Sequence, residues 1–136
     1  MLEVPFPCLS LVTDRHQFGN RLLEVVVDKA IHGGVNLVQL REKDLPSSKL
    51  LVLACRLREV TAGRALLFIN DRVDVALASG ADGVQLGELG LPIGTARKLS
   101  KGRLLLGRSV HSVQGAQEAA AGGSESPRGA SRTPAT

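Results

Sequence analysis

Residues 35–44, Val-Asn-Leu-Val-Gln-Leu-Arg-Glu-Lys-Asp, are the stretch that decides the fold. The first six residues form a short, largely apolar run after Gly33-Gly34, and this pattern predicts a buried β-strand. The last four are charged, so the chain is expected to leave the sheet there. An apolar strand that ends in a polar cluster is typical of βα-repeat proteins, whose chemistry collects at the carboxyl ends of parallel strands.

The same unit recurs on both sides of this stretch. Helical periodicity separates the apolar runs, and helix starts are expected at Asn20, at Ser47 or Ser48, at Pro92 and at Ser112. Short connections between alternating elements predict a parallel sheet. Five strands are predicted, at residues 9–12, 35–40, 65–69, 83–86 and 103–107.

Two α/β architectures fit this alternation: an open doubly wound sheet and a closed (β/α)8 barrel. An open sheet concentrates its chemistry at one switch point, whereas a barrel distributes it over the loops that follow every strand. The pattern here favours the barrel, because polar clusters follow the predicted strands at residues 13–14, 39–44, 70–72 and 109–111.

Composition excludes several classes of protein. The 136 residues include three Phe but no Tyr or Trp, and carry a net charge of +4. With few aromatic side chains for base stacking and no Lys/Arg run longer than two, nucleic-acid binding is disfavoured. No apolar stretch approaches the roughly 20 residues of a membrane span. We see no signal peptide, and the two cysteines form no metal-ligand spacing, so we expect a cytoplasmic protein.

Gln39, Arg41 and Lys43 alternate along the second strand and its exit. A period of two places their side chains on one face. Together they form a multidentate donor array that suits a phosphate or diphosphate. The alternative is a solvated strand end, in which Arg41 or Lys43 forms an ordinary ion pair with Glu42 or Asp44. Both interpretations remain open at this level.

Asn70 and Asp71 directly follow the third predicted strand. Carboxylate oxygen is the ligand that Mg²⁺ prefers, so Asp71 is a candidate metal ligand. Asn70 is a candidate donor to a ligand oxygen. The alternative is that one of these residues caps the helix predicted over residues 73–79.

Ser109 and His111 follow the fifth predicted strand. Ser109 is a candidate phosphate contact, because a helix start nearby supplies backbone amides. His111 is either an acid–base group or an ordinary residue of the rim. The neighbourhood has no acidic partner for a triad and no Gly-x-Ser-x-Gly elbow, which excludes serine-hydrolase chemistry.

Five segments together resemble the thiamine-phosphate synthase (thiamine-phosphate pyrophosphorylase) and thiazole tautomerase family, at residues 11–14, 33–44, 69–76, 80–87 and 107–112. The resemblance implies a TIM-type (β/α)8 barrel, of which this chain would hold the N-terminal five βα units. Residues 1–121 are expected to form this truncated, partial barrel. The Gly/Ser/Pro/Arg-rich residues 122–136 are expected to be a disordered tail outside the family pattern.

The resemblance also implies thiamine biosynthesis by a Mg²⁺-dependent transferase. Such an enzyme joins hydroxymethylpyrimidine diphosphate to thiazole phosphate and releases pyrophosphate. No catalytic nucleophile is expected, because the electron-rich aminopyrimidine stabilises the cation itself. Asp71 would ligate Mg²⁺, and the pyrimidine diphosphate would be bound by Gln39, Arg41, Lys43, Asn70 and Ser109.

Two residues depart from the family pattern. The second Mg²⁺-binding Asp of the family is replaced by Gly90, with Glu88 as a nearby substitute of unproven reach. Gln85 stands where synthases often have His, and it also suits a thiazole tautomerase, a proton-moving isomerase that needs no Mg²⁺.

The missing strands suggest another class of function. Without strands six to eight, we expect the chain alone to be unstable or inactive. A third interpretation is therefore a non-catalytic phosphate-binding remnant that self-associates through open sheet edges.

Overall fold

The computed structural model describes residues 8–18, 21–87 and 89–108. They form a parallel sheet of five strands, with one helix in each connection after the first strand. A short 3-10 turn (Arg15–Gln17) precedes the first helix. In chain order the elements are β1 (Ser10–Val12), α1 (Leu23–His32), β2 (Leu37–Leu40), α2 (Ser47–Thr61), β3 (Leu66–Asn70), α3 (Val73–Ser79), β4 (Gly83–Leu86), α4 (Ile93–Ser100) and β5 (Leu105–Arg108).

The strand order is β1-β2-β3-β4-β5, so each connection moves the chain one place in the same direction. Successive helices contact one another and form one layer. A doubly wound sheet would reverse its strand order at a switch point, and this sheet has none. The α/β prediction is confirmed, and the doubly wound alternative is excluded. Within the described residues the sheet is not closed, because β1 and β5 each have one neighbour.

The core lies between the sheet and the helical layer. Alternate residues of the central strands are completely or almost completely buried there, namely Val38, Leu40, Leu67, Ile69, Val84, Leu86 and Leu106. Ala54 and Leu57 of α2, Ala76 of α3 and Ala96 of α4 meet them with no exposed surface. Each Leu or Ile buried in this way contributes about 1.5–3 kcal/mol to the free energy of folding. This packing fixes the strand ends that carry the polar residues.

The opposite face of the sheet contains one close approach that depends on a glycine. Phe68 pairs in register with Gly83, and its side chain is 2% exposed. A β-carbon added to Gly83 would lie 2.6 Å from Phe68 Cζ and 2.6 Å from the carbonyl oxygen of Leu105. Only glycine therefore fits beside this ring.

The predicted helix ends are only partly confirmed. Gly80 ends α3 with φ of 72°, as expected of a C-cap glycine. The predicted capping by Ser47 or Ser48 is wrong, because Pro46 precedes α2 and no side chain caps it. Pro92 lies one position before the first turn of α4 rather than within it. The helix starts predicted at Asn20 and Ser112 lie outside the described residues.

No helix in the described part of the chain combines the length and the hydropathy that a membrane crossing requires.

Candidate functional site

The carboxyl ends of the strands meet along one rim of the sheet. Gln39 pairs with Val12 on one side and with Phe68 on the other, and Asn70 pairs with Gln85. The loops that follow β1, β2, β3 and β4 are therefore neighbours. The rim thus brings together residues that are far apart in the sequence, as in other βα-repeat proteins.

Burial alternates along the exit of β2 as a period of two requires. Leu40 is 1% exposed and Glu42 is 5% exposed, whereas Arg41 and Lys43 are exposed. Gln39, the next-to-last residue of β2, is half-buried. The two cationic residues are thus accessible to solvent, whereas the carboxylate between them is buried.

Glu42 and Asp44 both pair with the loop after β1. The Glu42 carboxylate accepts hydrogen bonds from Thr13 Oγ1 at 2.7 Å and from the Arg15 guanidinium at 2.9 Å. Asp44 accepts two bonds from the same guanidinium, at 2.7 and 2.8 Å, and lies 2.9 Å from His16 Nε2. These bonds hold the pKa of Asp44 well below its usual range, mainly through Arg15.

This pairing bears on one part of the alternative interpretation, the ion pairs expected between the alternating cations and their acidic neighbours. Arg41 and Lys43 do not pair with Glu42 or Asp44, because Arg15 and His16 occupy those carboxylates. Within residues 8–18, 21–87 and 89–108, no salt bridge involves Arg41 or Lys43. The rim therefore carries two positive charges whose acidic sequence neighbours are neutralised elsewhere.

Asp71 connects the end of β3 to the turn after β4. Its backbone has φ of 61°, in the left-handed region that an Asp tolerates better than most residues. Its N–H donates to the carbonyl oxygen of Gln85 at 2.9 Å, and its Oδ1 accepts from the N–H of Gly87 at 2.6 Å. The alternative role of Asp71 as a helix cap is not observed, because α3 has no side-chain cap.

Arg72, the next residue of the loop after β3, also stabilises that loop by hydrogen bonds. Its guanidinium donates two hydrogen bonds to Asp74, at 3.1 and 2.9 Å, and one to Ser47 Oγ at 2.8 Å. Ser47, which the sequence suggested as a helix cap, thus anchors the loop after β3 to the start of α2.

Three of the predicted site residues line one cavity of about 240 Å³: Lys43, Asn70 and Asp71. The remaining lining comes from Leu40, Glu42, Leu45, Leu50 and Arg72. Gln39 and Arg41 lie on the rim beside this cavity but do not line it. A larger depression of about 410 Å³, at the outer side of α2, contains none of the predicted site residues. Ser109, His111 and Glu88 lie outside the described residues.

Gly90 lies against the carboxylate of Asp71. A β-carbon on Gly90 would be 2.5 Å from Asp71 Oδ1, and one on Gly87 would be 3.0 Å from Oδ2. A side chain at position 90 would thus overlap this carboxylate unless Asp71 moved. No cluster of three or more His, Cys, Asp or Glu suited to a metal occurs among the described residues.

Sequence reasoning missed the contribution of Thr13 and Arg15. Thr13 is 2% exposed and its hydroxyl accepts the N–H of Arg41 at 3.0 Å. The only sequence signal for this link was a Thr at the end of an apolar strand, and Arg15 had no signal of its own.

Comparison with known proteins identifies the family that this chain resembles. The sequence profile of the thiamine monophosphate synthase family matches residues 9–126. A protein of Geobacter sulfurreducens is 53% identical over 126 residues, which are 92% of this chain and 59% of that protein. The thiamine-phosphate synthase of Gloeobacter violaceus is 50% identical over 118 residues, 86% of this chain and 33% of that enzyme.

A solved structure gives the same result for the fold. The thiamine phosphate pyrophosphorylase from Pyrococcus furiosus superposes with a TM-score of 0.78 at 38% identity, over 86% of this chain and 56% of that one. The fold thus defines an α/β protein built from βα repeats, with a parallel five-stranded sheet. The chain belongs to the thiamine monophosphate synthase family. It spans only about half the length of the relatives that it matches.

Proposed function

We propose that this chain supplies the diphosphate-binding half of a thiamine-phosphate synthase site. The reaction is the transfer of a hydroxymethylpyrimidine group from its diphosphate to thiazole phosphate, in thiamine biosynthesis. The observation that carries the proposal is the pair of cations, Arg41 and Lys43, whose neighbouring acids are bound by Arg15 and His16. A rim cation without an acidic partner is available to an anionic ligand.

The chemistry of the step assigns roles to these residues. The bond between the pyrimidine methylene carbon and the diphosphate oxygen breaks, and its electron pair leaves with pyrophosphate. The thiazole nitrogen then donates its lone pair to that carbon and forms the new C–N bond. Arg41 and Lys43 stabilise the growing charge on the leaving group, and Gln39, Asn70 and Ser109 hold the substrate by hydrogen bonds.

Among the described residues, the carboxylate proposed to hold Mg²⁺ is that of Asp71. Mg²⁺ is commonly held by one or two carboxylates together with substrate phosphates, and it keeps several waters. Asp71 offers one carboxylate, next to Asn70 and Lys43 in the same cavity. Bound there, Mg²⁺ would neutralise charge on the diphosphate. We therefore propose that Mg²⁺ binds at Asp71 together with the diphosphate, and that Gly90 leaves the second position to solvent or substrate.

The proposed architecture is the N-terminal five βα units of a (β/α)8 barrel, ending near residue 121. Sequential strand order supports it, since a barrel is built by repeated steps in one direction. The thiazole-phosphate site would then lie on strands that this chain does not contain. Residues 122–136 are proposed to lie outside the barrel domain.

Titration calorimetry with hydroxymethylpyrimidine diphosphate, with and without Mg²⁺, tests this function. We expect the diphosphate to bind, and to bind more tightly in the presence of Mg²⁺. When thiazole phosphate and the other half of the site are supplied, we expect the reaction to release pyrophosphate. A thiazole tautomerase, which Gln85 also suits, would show neither Mg²⁺ dependence nor pyrophosphate release. A non-catalytic remnant would bind without turnover and elute as an oligomer from a size-exclusion column.

A further inference from the structure

Glu42 is a carboxylate enclosed by donors from another loop. Its side chain is 2% exposed. It accepts from Thr13 Oγ1 at 2.7 Å, from the backbone N–H of Arg15 at 3.1 Å, and from the Arg15 guanidinium at 2.9 Å. A buried charge is tolerated only where such partners replace water. This one carboxylate therefore ties the loop after β2 to the loop after β1.

Thr13 extends the connection to the neighbouring backbone. Its hydroxyl donates to Glu42 and accepts the N–H of Arg41 at 3.0 Å. Arg15 reaches in the other direction and binds Asp44 through two hydrogen bonds, of 2.7 and 2.8 Å. The chain is thus held at residues 41, 42 and 44, on both sides of Lys43.

We propose that Glu42 is a positioning residue that acts through Thr13 and Arg15. It holds the backbone of residues 41–44 so that the side chains of Arg41 and Lys43 are presented together to one diphosphate group. The identity of the ligand rests on the proposed function, whereas the hold on the backbone does not. Because the oxygens of Glu42 are occupied by the donors of the β1 loop, the proposal assigns it a positioning role and no bond to the ligand.

The direction in which Glu42→Gln changes the affinity for an anion distinguishes a positioning role from a purely electrostatic one. By Coulomb's law alone, removing a negative charge near two cations strengthens the binding of an anion. Loss of positioning has the opposite effect. For Glu42→Gln we expect the affinity for inorganic pyrophosphate, measured by calorimetry, to fall about tenfold, the size of losing one charge-assisted contact. The control is Glu59→Gln, which removes an exposed acid of α2 and is expected to bind like the wild type or slightly more tightly.

A second variant removes the link without changing any charge. Thr13→Val keeps the shape of the side chain but deletes the hydroxyl between Arg41 and Glu42, and we expect pyrophosphate binding to weaken in the same direction. Circular dichroism and urea unfolding first establish that each variant is folded. If folded Glu42→Gln and Thr13→Val both bind pyrophosphate at least as tightly as the wild type, the proposal is overturned.

Amide exchange tests the same hold without any ligand. In both variants the Arg41 amide should exchange faster, measured by NMR. The Leu105 amide, which bonds the carbonyl oxygen of Asp82 at 2.9 Å elsewhere in the sheet, should be unchanged. If wild-type protein binds no pyrophosphate, the proposed function fails and the exchange result alone decides. Unchanged Arg41 exchange in both folded variants would then overturn the positioning role.

Discussion

At the residue scale, the charge of the rim depends on which side chains pair with the acids beside Arg41 and Lys43. Arg41 and Lys43 stand next to Glu42 and Asp44 in the sequence, and in isolation the four charges would cancel. The fold separates them, because Arg15 reaches across from the β1 loop and takes both acids. Residues 41–44 carry no net charge, but with both acids paired to Arg15 the side chains of Arg41 and Lys43 remain as positive charges without an acidic partner in this segment.

The first prediction concerns Lys43. Lys43→Ala should weaken pyrophosphate binding by about 10- to 100-fold, since a hydrogen bond to a charged group contributes about 1.5–3 kcal/mol. The remaining binding should also depend less on salt, because one screened charge is gone. Calorimetry at two NaCl concentrations measures both effects. Lys98→Ala, an exposed cation of α4, is the matched control, and an equal loss in that variant would argue for a nonspecific charge effect.

A second prediction concerns the glycine beside Asp71. Gly90→Asp adds a second carboxylate, and because its β-carbon would lie 2.5 Å from Asp71 Oδ1, it must also shift the Asp71 side chain. Compared with Gly90→Asn, which imposes the same shift, its affinity for Mn²⁺ as a probe of the Mg²⁺ site should be about tenfold higher, because charge count tunes such sites. Electron paramagnetic resonance of free Mn²⁺ follows the titration. Gly90→Asn has the same size without the charge and should show no gain. Equal Mn²⁺ affinity in the wild type and both variants would mean that no metal binds at this carboxylate.

A third prediction is a pH dependence. The Arg15 guanidinium depresses the pKa of Asp44 in the folded state below its ordinary value of 3.8. The ion pair therefore stabilises the fold above about pH 4, and this contribution is lost as the pH falls through the lower folded-state pKa. Asp44→Asn should be less stable than the wild type at pH 7, and the difference should shrink toward pH 2. Urea unfolding at several pH values measures it; a difference that stays constant from pH 7 to pH 2 would contradict the pairing.

At the scale of elements, the two faces of the sheet carry different kinds of residue. One face packs against four helices and supplies the hydrophobic core. The other carries Gln39 and Asn70 near the rim, with Phe68 packed over Gly83 below them. The rim residues thus stand on strands whose far side is rigidly packed.

The fourth prediction tests that packing. Gly83→Ala should lower the free energy of unfolding by about 1–3 kcal/mol, because the new methyl group overlaps Phe68 and a backbone oxygen. Gly94→Ala is the paired control, since a β-carbon there meets nothing within 4 Å in α4. It should be neutral or stabilising by up to about 1 kcal/mol, given the helix propensity of Ala. Urea unfolding midpoints of the two variants measure the difference in stability. Equal midpoints would contradict the close packing of Phe68 against Gly83.

The sequence predicted the elements better than their ends. Five strands and the helix over residues 73–79 were visible because apolar periodicity is a local property. Ser47 looked like a helix cap but bonds Arg72, which is 25 residues away. The pairing of Arg15 with Glu42 spans 27 residues. Contacts of this kind depend on strand register, which one sequence does not specify.

At the scale of the whole molecule, the chain spans about half the length of the family members that it matches. The chain covers 56% of the Pyrococcus furiosus structure that it resembles. Arg41 and Lys43 follow β2, Asn70 is the last residue of β3, and Asp71 follows it, so these predicted site residues lie on two neighbouring strand ends. We therefore expect the proposed binding of a diphosphate to be testable in this chain by itself.

The most direct measurement is a calorimetric titration of hydroxymethylpyrimidine diphosphate into the chain in the presence of Mg²⁺. It compares the wild type with Arg41→Ala and with the control Lys98→Ala. We predict saturable binding in the wild type and the control, weakened at least about tenfold in Arg41→Ala. Wild-type protein that binds no diphosphate, or Arg41→Ala that binds as tightly as the wild type, would contradict the assignment of this rim.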